Sequence, residues 1–185
     1  MVSCFKGKFK VTSPRGNRVI FGKTEFHKGL DLVAMEADKS VYAIADGKVD
    51  VLYEANGFGY YIRQLLPDGR RLYYGHLAKG SIVVKAGQTI KAGAKLGTMG
   101  STGRSTGAHT HIELRAKGTS KDSLDISEFT GIPNKVGTYI ADTLAEDLNI
   151  LTKKGVINSP DYWKTTAPTV KYLPELIHNM AEKLK

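Results

Sequence analysis

Turn dipeptides interrupt the N-terminal part of the chain at short intervals: Asp46-Gly47, Asn56-Gly57, Asp68-Gly69, Ala86-Gly87 and Ala92-Gly93. Asn-Gly and Asp-Gly suit hairpin positions that need positive φ. Between them lie short runs rich in β-branched and aromatic residues: Lys48–Tyr53, Tyr60–Arg63, Arg71–Tyr74 and Ser81–Val84. Runs of this length, bounded by turn residues, predict strands. Strands at this spacing, with no helices alternating between them, predict a mainly β fold, an antiparallel sandwich or barrel, and argue against a parallel α/β sheet.

The texture changes after about residue 138. Ile140, Leu144, Leu148 and Leu151 recur at helical spacing, and Gly155 follows as a stop signal. Ser159-Pro160-Asp161 reads as an N-cap with Pro at the first helical position. A last helix carries Leu173, Leu176, Ile177, Met180 and Leu184, and Pro174 either opens it or kinks it from a start near Pro168. The expected organisation is a β domain over residues 1–130, a linker over 131–137 and a small helical module over 138–185.

The chain has 185 residues, 41% of them hydrophobic and 24% charged, which excludes collagen-like, low-complexity and wholly disordered classes. No apolar run is long enough to span a membrane. The start, MVSCFKGKFKVTSPRG, lacks the apolar stretch of a signal peptide, so the chain is expected to be made without one. Cys4 is the single cysteine, which excludes an intrachain disulfide and a cysteine-based metal site. The net charge is +9, from 27 Lys and Arg against 18 Asp and Glu, with much of the excess at Lys6, Lys8, Lys10, Arg15, Arg18, Lys23 and Lys28. Such a chain suits a polyanion: nucleic acid, an anionic membrane or an anionic cell wall.

Of the five histidines, His27, His76, His109 and His111 lie in the β-rich part. Residues two apart in a strand share a face, so the imidazoles of His109 and His111 are expected side by side. His27 and Asp31 stand four apart, with Gly29 between them, and read as a loop running into a strand. Three N and O ligands with one open position make a catalytic zinc site, and zinc lowers the pKa of its water to about 7. The remaining histidines would then take up a proton or stabilise an oxyanion. Each motif alone is weak, and His76 also fits a hydrogen-bonded core position below Tyr73 and Tyr74. His178 has no ligand-spaced neighbours and reads as surface or partly packed.

Together these segments resemble the lysostaphin-like (LytM-type) zinc metallopeptidases, peptidoglycan endopeptidases of bacterial and phage lysins. The resemblance runs through most of residues 10–130. It is carried by Val11–Arg18, by Phe26-His27-Lys28-Gly29-Leu30-Asp31 as HxxxD, by Asn56-Gly57-Phe58-Gly59-Tyr60-Tyr61-Ile62, by Tyr74-Gly75-His76-Leu77, and by Gly100–Gly107 leading into His109-Thr110-His111. It implies the family's β fold, with its duplicated hybrid motif, and Zn2+ bound by His27, Asp31 and His111. It also implies His76 and His109 as the catalytic pair, one as general base and the other on the oxyanion. Glu113 stands where the family usually has a Glu, either orienting an imidazole or on the surface. Thr110 and Ile112 replace the common Leu and Phe; both point away from the metal face, so little cost is expected. Where some members have a Tyr upstream of the first His to help the oxyanion, only Phe21 and Phe26 are present.

The segment Gly155–Trp163 is similar to a C-terminal module of phage lysins and tail proteins. Trp163 would serve a small helical core before it would stack on sugar. The resemblance therefore implies a phage endolysin or tail-associated lysin acting on the peptidoglycan of a Gram-positive wall, reached by a holin, by lysis or by virion delivery. The alternative is a non-catalytic wall-binding or structural component of a phage particle. Val84–Ile90 followed by Gly93 resembles the turn of biotinyl or lipoyl carriers, but Lys48 lacks the context of a modified lysine. A phosphocarrier would use paired histidines without needing Asp31. No basic helix or aromatic-interleaved strand favours a nucleic acid.

Overall fold

In Lys8-Phe9-Lys10-Val11, lysines alternate with apolar residues, and the alternation fixes which face of the strand is buried. Phe9 and Val11 have no exposed surface. The computed structural model describes residues 2–118, 122–141, 144–158, 163–164 and 173–184. The strands are β1 (Lys8–Ser13), β2 (Gly16–Ile20), β3 (Lys23–His27), β4 (Leu30–Ala34), β5 (Ser40–Tyr42), β6 (Gly47–Glu54), β7 (Gly59–Leu65), β8 (Arg71–Leu77), β9 (Thr89–Ile90), β10 (Lys95–Thr98), β11 (Thr110–Arg115), β12 (Ser123–Leu124) and β13 (Gly137–Ile140). Helices are α1 (Ile126–Thr130), α2 (Leu144–Lys153) and α3 (Leu173–Glu182).

Among the described residues, nine strands form one sheet in the order β13-β1-β4-β11-β8-β7-β6-β9, with β12 beside β11. Every pairing is antiparallel, as the sequence predicts. Two small sheets, β5–β10 and β2–β3, complete the β structure. One face of the large sheet is packed: Leu30, Leu32, Ile62, Leu72, Tyr74, Ile112 and Leu114 share a core with Val41 of β5 and Leu96 of β10. Its polar groups are paired. The Tyr74 hydroxyl donates to Gln64 Oε1 (2.9 Å) and accepts from the Ile44 amide (3.0 Å), while Gln64 Nε2 donates to the Ala45 carbonyl (2.6 Å).

The structure departs from the sequence reading at several points. Ser81–Val84 is not a strand; it runs as a loop, with the Val83 amide donating to the Leu96 carbonyl. Asp46-Gly47 opens β6 rather than closing a hairpin. The expected linker, 131–137, is loop up to 136, and Gly137 opens β13, which takes up the residues expected to begin the helical module. Ile132 is fully buried in the main core, and β13 pairs with β1, placing Tyr139 6.0 Å from Phe9. Without β13, the amides on that side of β1 would be an open sheet edge. Ile140 therefore belongs to the sheet and not to a helix.

Beyond it, α2 ends as Gly155 predicts. Gly155 has φ +69°, its amide donates to the Thr152 carbonyl, and the Val156 amide donates to the Leu151 carbonyl. Leu148, Leu151, Ile177 and Ala181 form a second small core, against which Trp163 packs. Pro174 is the second residue of α3, where a missing amide hydrogen does no harm. Met180 is exposed, and His178, read from the sequence as surface or partly packed, is buried. Ser159-Pro160-Asp161, Pro168 and the side chains of Leu173 and Leu176 lie outside the described residues.

Two measurements check this packing. Cys4 is fully buried, and burial pushes its thiol well above the usual range. A thiolate-specific reagent should leave the folded chain unlabelled and modify Cys4 only once denaturant unfolds it. Thr110 is also fully buried, and its Oγ1 has no partner among the described residues. Thr110→Val removes an unpaired hydroxyl, so it should stabilise the fold by about 1 kcal/mol. Melting would then shift upward by roughly 2–4 °C in calorimetry.

Candidate metal centre and active site

β11 lies between β4 and β8, and the register sets His111 opposite Asp31 on one side and opposite Gly75 on the other. Thr110, Ile112 and Leu114 of β11 are buried on the core side. Alternation therefore turns His111 and Glu113 to the other face, beside Asp31. His27 ends β3 and reaches the same place across Lys28-Gly29. A Cβ on Gly29 would collide with the Ile112 carbonyl oxygen and lie 2.9 Å from the His111 ring, so this close approach requires glycine.

Three atoms meet there. His27 Nε2 is 3.1 Å from Asp31 Oδ1 and 2.9 Å from His111 Nδ1, and His111 Nδ1 is 2.9 Å from Asp31 Oδ1. The outer ring nitrogens have acceptor partners. His27 Nδ1 donates to the Pro14 carbonyl (2.9 Å), and His111 Nε2 donates to Glu113 Oε2 (3.2 Å). Those partners hold the outer protons, so that with a cation bound the two inner nitrogens would face it as lone pairs. Two imidazole nitrogens and a carboxylate oxygen thus face one another. That is the donor set of a small divalent cation, and their separations approach the roughly 3.3 Å edge of a tetrahedron with 2.0–2.1 Å bonds.

His76 and His109 stand beside this triangle, their rings 4.6 Å apart. Plain alternation would send His76 into the core with Leu72 and Tyr74. It instead has φ +61°, the left-handed region, at a bulge in β8 where two residues stand against one of β7. A non-glycine residue held there is strained backbone at a site. His76 Nδ1 donates to the Thr102 carbonyl (2.8 Å), and His109 Nδ1 donates to the Gly107 carbonyl (2.8 Å). One loop thus sets both rings and leaves each Nε2 as the free lone pair; His109 Nε2 is 3.5 Å from Asp31 Oδ1.

That loop is held by backbone packing. The Arg104 amide donates to the Gly57 carbonyl (2.9 Å). Thr102 Oγ1 accepts from the Tyr60 amide (3.0 Å) and donates to the Leu77 carbonyl (2.7 Å). Gly103, at φ +72°, sits so close to Gly57 and Gly59 that a Cβ would strike their backbone.

Burial works to raise the Asp31 carboxyl, but with no cation between them the inner nitrogens of His111 and His27 donate to it and hold it far below the usual carboxylate range. Burial works to lower His111, but its contacts with Asp31 and Glu113 outweigh this and raise it to about 9. Burial pushes His76 down to about 4, helped by His109 and His111, so the ring is neutral near pH 7. Glu113 is buried and stands at about 2; burial opposes this, and hydrogen bonds from His111 and Arg115 outweigh it. Of the two readings the sequence left for Glu113, the structure favours the one that orients His111. Above the cluster lies an open cleft of about 260 Å³, with Glu25, Phe26, Asn56, Phe58, Arg104 and Arg115 on its walls.

The five residues singled out by motif, His27, Asp31, His76, His109 and His111, thus fall in one cluster. His178 lies apart, in α3. The sequence reading gave Arg18 as part of the basic excess and of the opening Val11–Arg18 segment, with no role at the site, yet its Nη1 is 2.7 Å from Asp31 Oδ2. Nothing in the spacing signalled that contact, because it joins separate strands.

Comparison with known proteins agrees with this geometry. The profile of peptidase family M23 matches residues 25–123. Peptidoglycan DD-endopeptidase ShyB of Vibrio cholerae is 33% identical over 112 residues, covering 60% of this chain and 26% of ShyB. The chain spans about a quarter of the length of the curated relatives it matches. Among solved structures, the catalytic domain of the antimicrobial peptidase lysostaphin from Staphylococcus simulans superposes with a TM-score of 0.57 at 31% identity, over 66% of this chain and 91% of that one. A mutant catalytic domain of the prophage-encoded M23 protein EnpA from Enterococcus faecalis gives 0.54 at 34% identity, over 63% and 88%. With more than half its length matched, the chain belongs to peptidase family M23.

Proposed function

We propose that this chain is a zinc metalloendopeptidase that hydrolyses peptide bonds in the stem or cross-bridge of bacterial peptidoglycan. The observation that carries the proposal is the triangle of inward nitrogen and oxygen atoms from His27, Asp31 and His111, whose donor set fits zinc. Zinc bound there supplies a Lewis acid that polarises the scissile carbonyl and acidifies water to a pKa of about 7. The chain's own residues handle the protons. Of the Nε2 atoms of His76 and His109, one takes the proton of the attacking water. The other, once its ring has taken up a second proton from solvent, would donate a hydrogen bond to the carbonyl oxygen as that oxygen gains charge. Glu113 keeps the His111 lone pair aimed inward throughout.

The setting in which it acts is part of the same proposal. The likeness to a prophage-encoded protein favours a phage lysin, and the net charge of +9 favours the anionic wall of a Gram-positive cell. Holin, lysis or virion delivery would bring it there. Binding to such a wall should weaken as salt screens the charges.

Purified Gram-positive sacculi incubated with the chain should release new amino and carboxyl peptide ends, read by mass spectrometry. A zinc chelator should abolish them, and added zinc should restore them. Asp31→Ala should lose both bound zinc and cleavage. Release of no ends from several wall types by the zinc-loaded chain would instead fit a non-catalytic wall-binding or structural part of a phage particle.

His76→Ala and His109→Ala should each keep zinc, measured by elemental analysis. Each should slow cleavage about 10²–10⁴-fold, the usual contribution of a positioned acid or base. If neither slows it, both are wrongly placed in the mechanism.

A further inference from the structure

Asp31 presents one oxygen to the metal triangle and the other away from it. That second oxygen, Oδ2, accepts from Arg18 Nη1 at 2.7 Å. Arg18 is itself held on two sides. Its Nη1 also donates to Ser13 Oγ (3.0 Å), while Nε and Nη2 both donate to Glu25 Oε1 (3.3 and 3.0 Å). The other oxygen of Glu25 accepts from Arg104 Nη1 at 2.7 Å. Arg104 lies between Thr102 and Gly107, the residues whose carbonyls hold His76 and His109. A continuous chain of charge-assisted hydrogen bonds therefore runs from Asp31 through Arg18 and Glu25 to the loop that carries the histidine anchors.

We propose that Arg18 is a positioning residue: it clamps Asp31 Oδ2 so that Oδ1 stays turned to the metal, and Glu25 fixes the clamp and ties it to the histidine-anchoring loop. The inference rests on the function proposed above and adds a part that the metal and histidine motifs do not contain. A lone exposed ion pair would hold nothing firmly. This one differs because the Asp31 side chain is only 9% exposed and Arg18 only 25%. The planar guanidinium also serves its carboxylate partners in fixed directions, which a lysine cannot do. The arginine's own charge opposes a cation, so its benefit must come through orientation.

The test is zinc affinity of the full chain, by competition with a chromophoric chelator. Wild type, Arg18→Ala, Arg18→Lys and Glu25→Gln are compared, with cleavage rate followed against sacculus concentration. Arg18→Ala should bind zinc about 10–100-fold more weakly, as residues that orient metal ligands do. Its maximal rate should fall with little change in the concentration for half-maximal rate. Arg18→Lys should recover part of the affinity, and Glu25→Gln should lose less than Arg18→Ala.

Unchanged or tighter zinc binding in Arg18→Ala overturns the proposal. So does a rise in half-maximal sacculus concentration alone, which would make Arg18 a substrate contact. If the alanine variant does not fold, Arg18→Lys carries the same test: affinity equal to wild type sinks the clamp. A wild-type chain that binds zinc but frees no peptide ends would sink the proposed function and leave the affinity comparison to decide on Arg18.

Discussion

The site depends on the register of three neighbouring strands. β11 must lie so that His111 meets Asp31 on β4 and Gly75 on β8. A slip of one residue would bury His111 in the core and turn Thr110 or Ile112 toward the cleft. The opposite face prevents this. Leu30, Leu32, Leu72, Ile112 and Leu114 are all buried there. Full burial of each such side chain is worth about 1.5–3 kcal/mol, so a slipped register forfeits far more than any gain at the site. The apolar pattern of one face thus guards the chemistry of the other.

His76 is where that rule is broken. By alternation its ring belongs with Tyr74, yet it joins the metal face through a left-handed backbone within the β8 bulge. Its amide is still paired, donating to the Phe58 carbonyl at 2.6 Å. The strain is offset by that bond and by the Thr102 carbonyl on its ring. The same loop anchors His109, so one ordered loop sets two rings, one from β8 and one just before β11.

These features explain what the sequence could tell. His109-Thr110-His111 was legible because a period of two needs no tertiary knowledge, and Gly29 marked a loop running into a strand between His27 and Asp31. Gly57 read as a turn residue and Gly59 and Gly103 as motif positions, while the structure uses Gly59 and Gly103 to let β7 and the loop after β10 touch backbone to backbone. Arg18 and Glu25 were illegible because their meaning lies in contacts with Asp31 and Arg104, brought near only by folding. β13 escaped for a similar reason: Thr138-Tyr139-Ile140 looks like a strand only once β1 presents an edge for it. The Ser81–Val84 run erred the other way. Its residue types suit a strand, but no full ladder of partners lies beside it.

Charge balance shows how the triangle is held. Asp31 and Glu113 are both buried carboxylates, which the interior tolerates only when they are paired. Each divides its oxygens between the histidines and an arginine. Asp31 gives Oδ2 to Arg18, and Glu113 gives Oε1 to Arg115 Nε at 2.7 Å. The arginines are held in turn, Arg18 by Glu25 and Arg115 by stacking 4.3 Å from the Tyr73 ring. Removing one member of a buried pair typically costs about 3–5 kcal/mol, so these contacts resist rearrangement. The donor triangle is therefore shaped by protein partners and a hydrophobic sheet face. In small zinc-organised domains the ion supplies the folding energy; here a hydrophobic core lies behind the site and the arginines hold its carboxylates, so an ion entering the triangle finds its ligands already grouped.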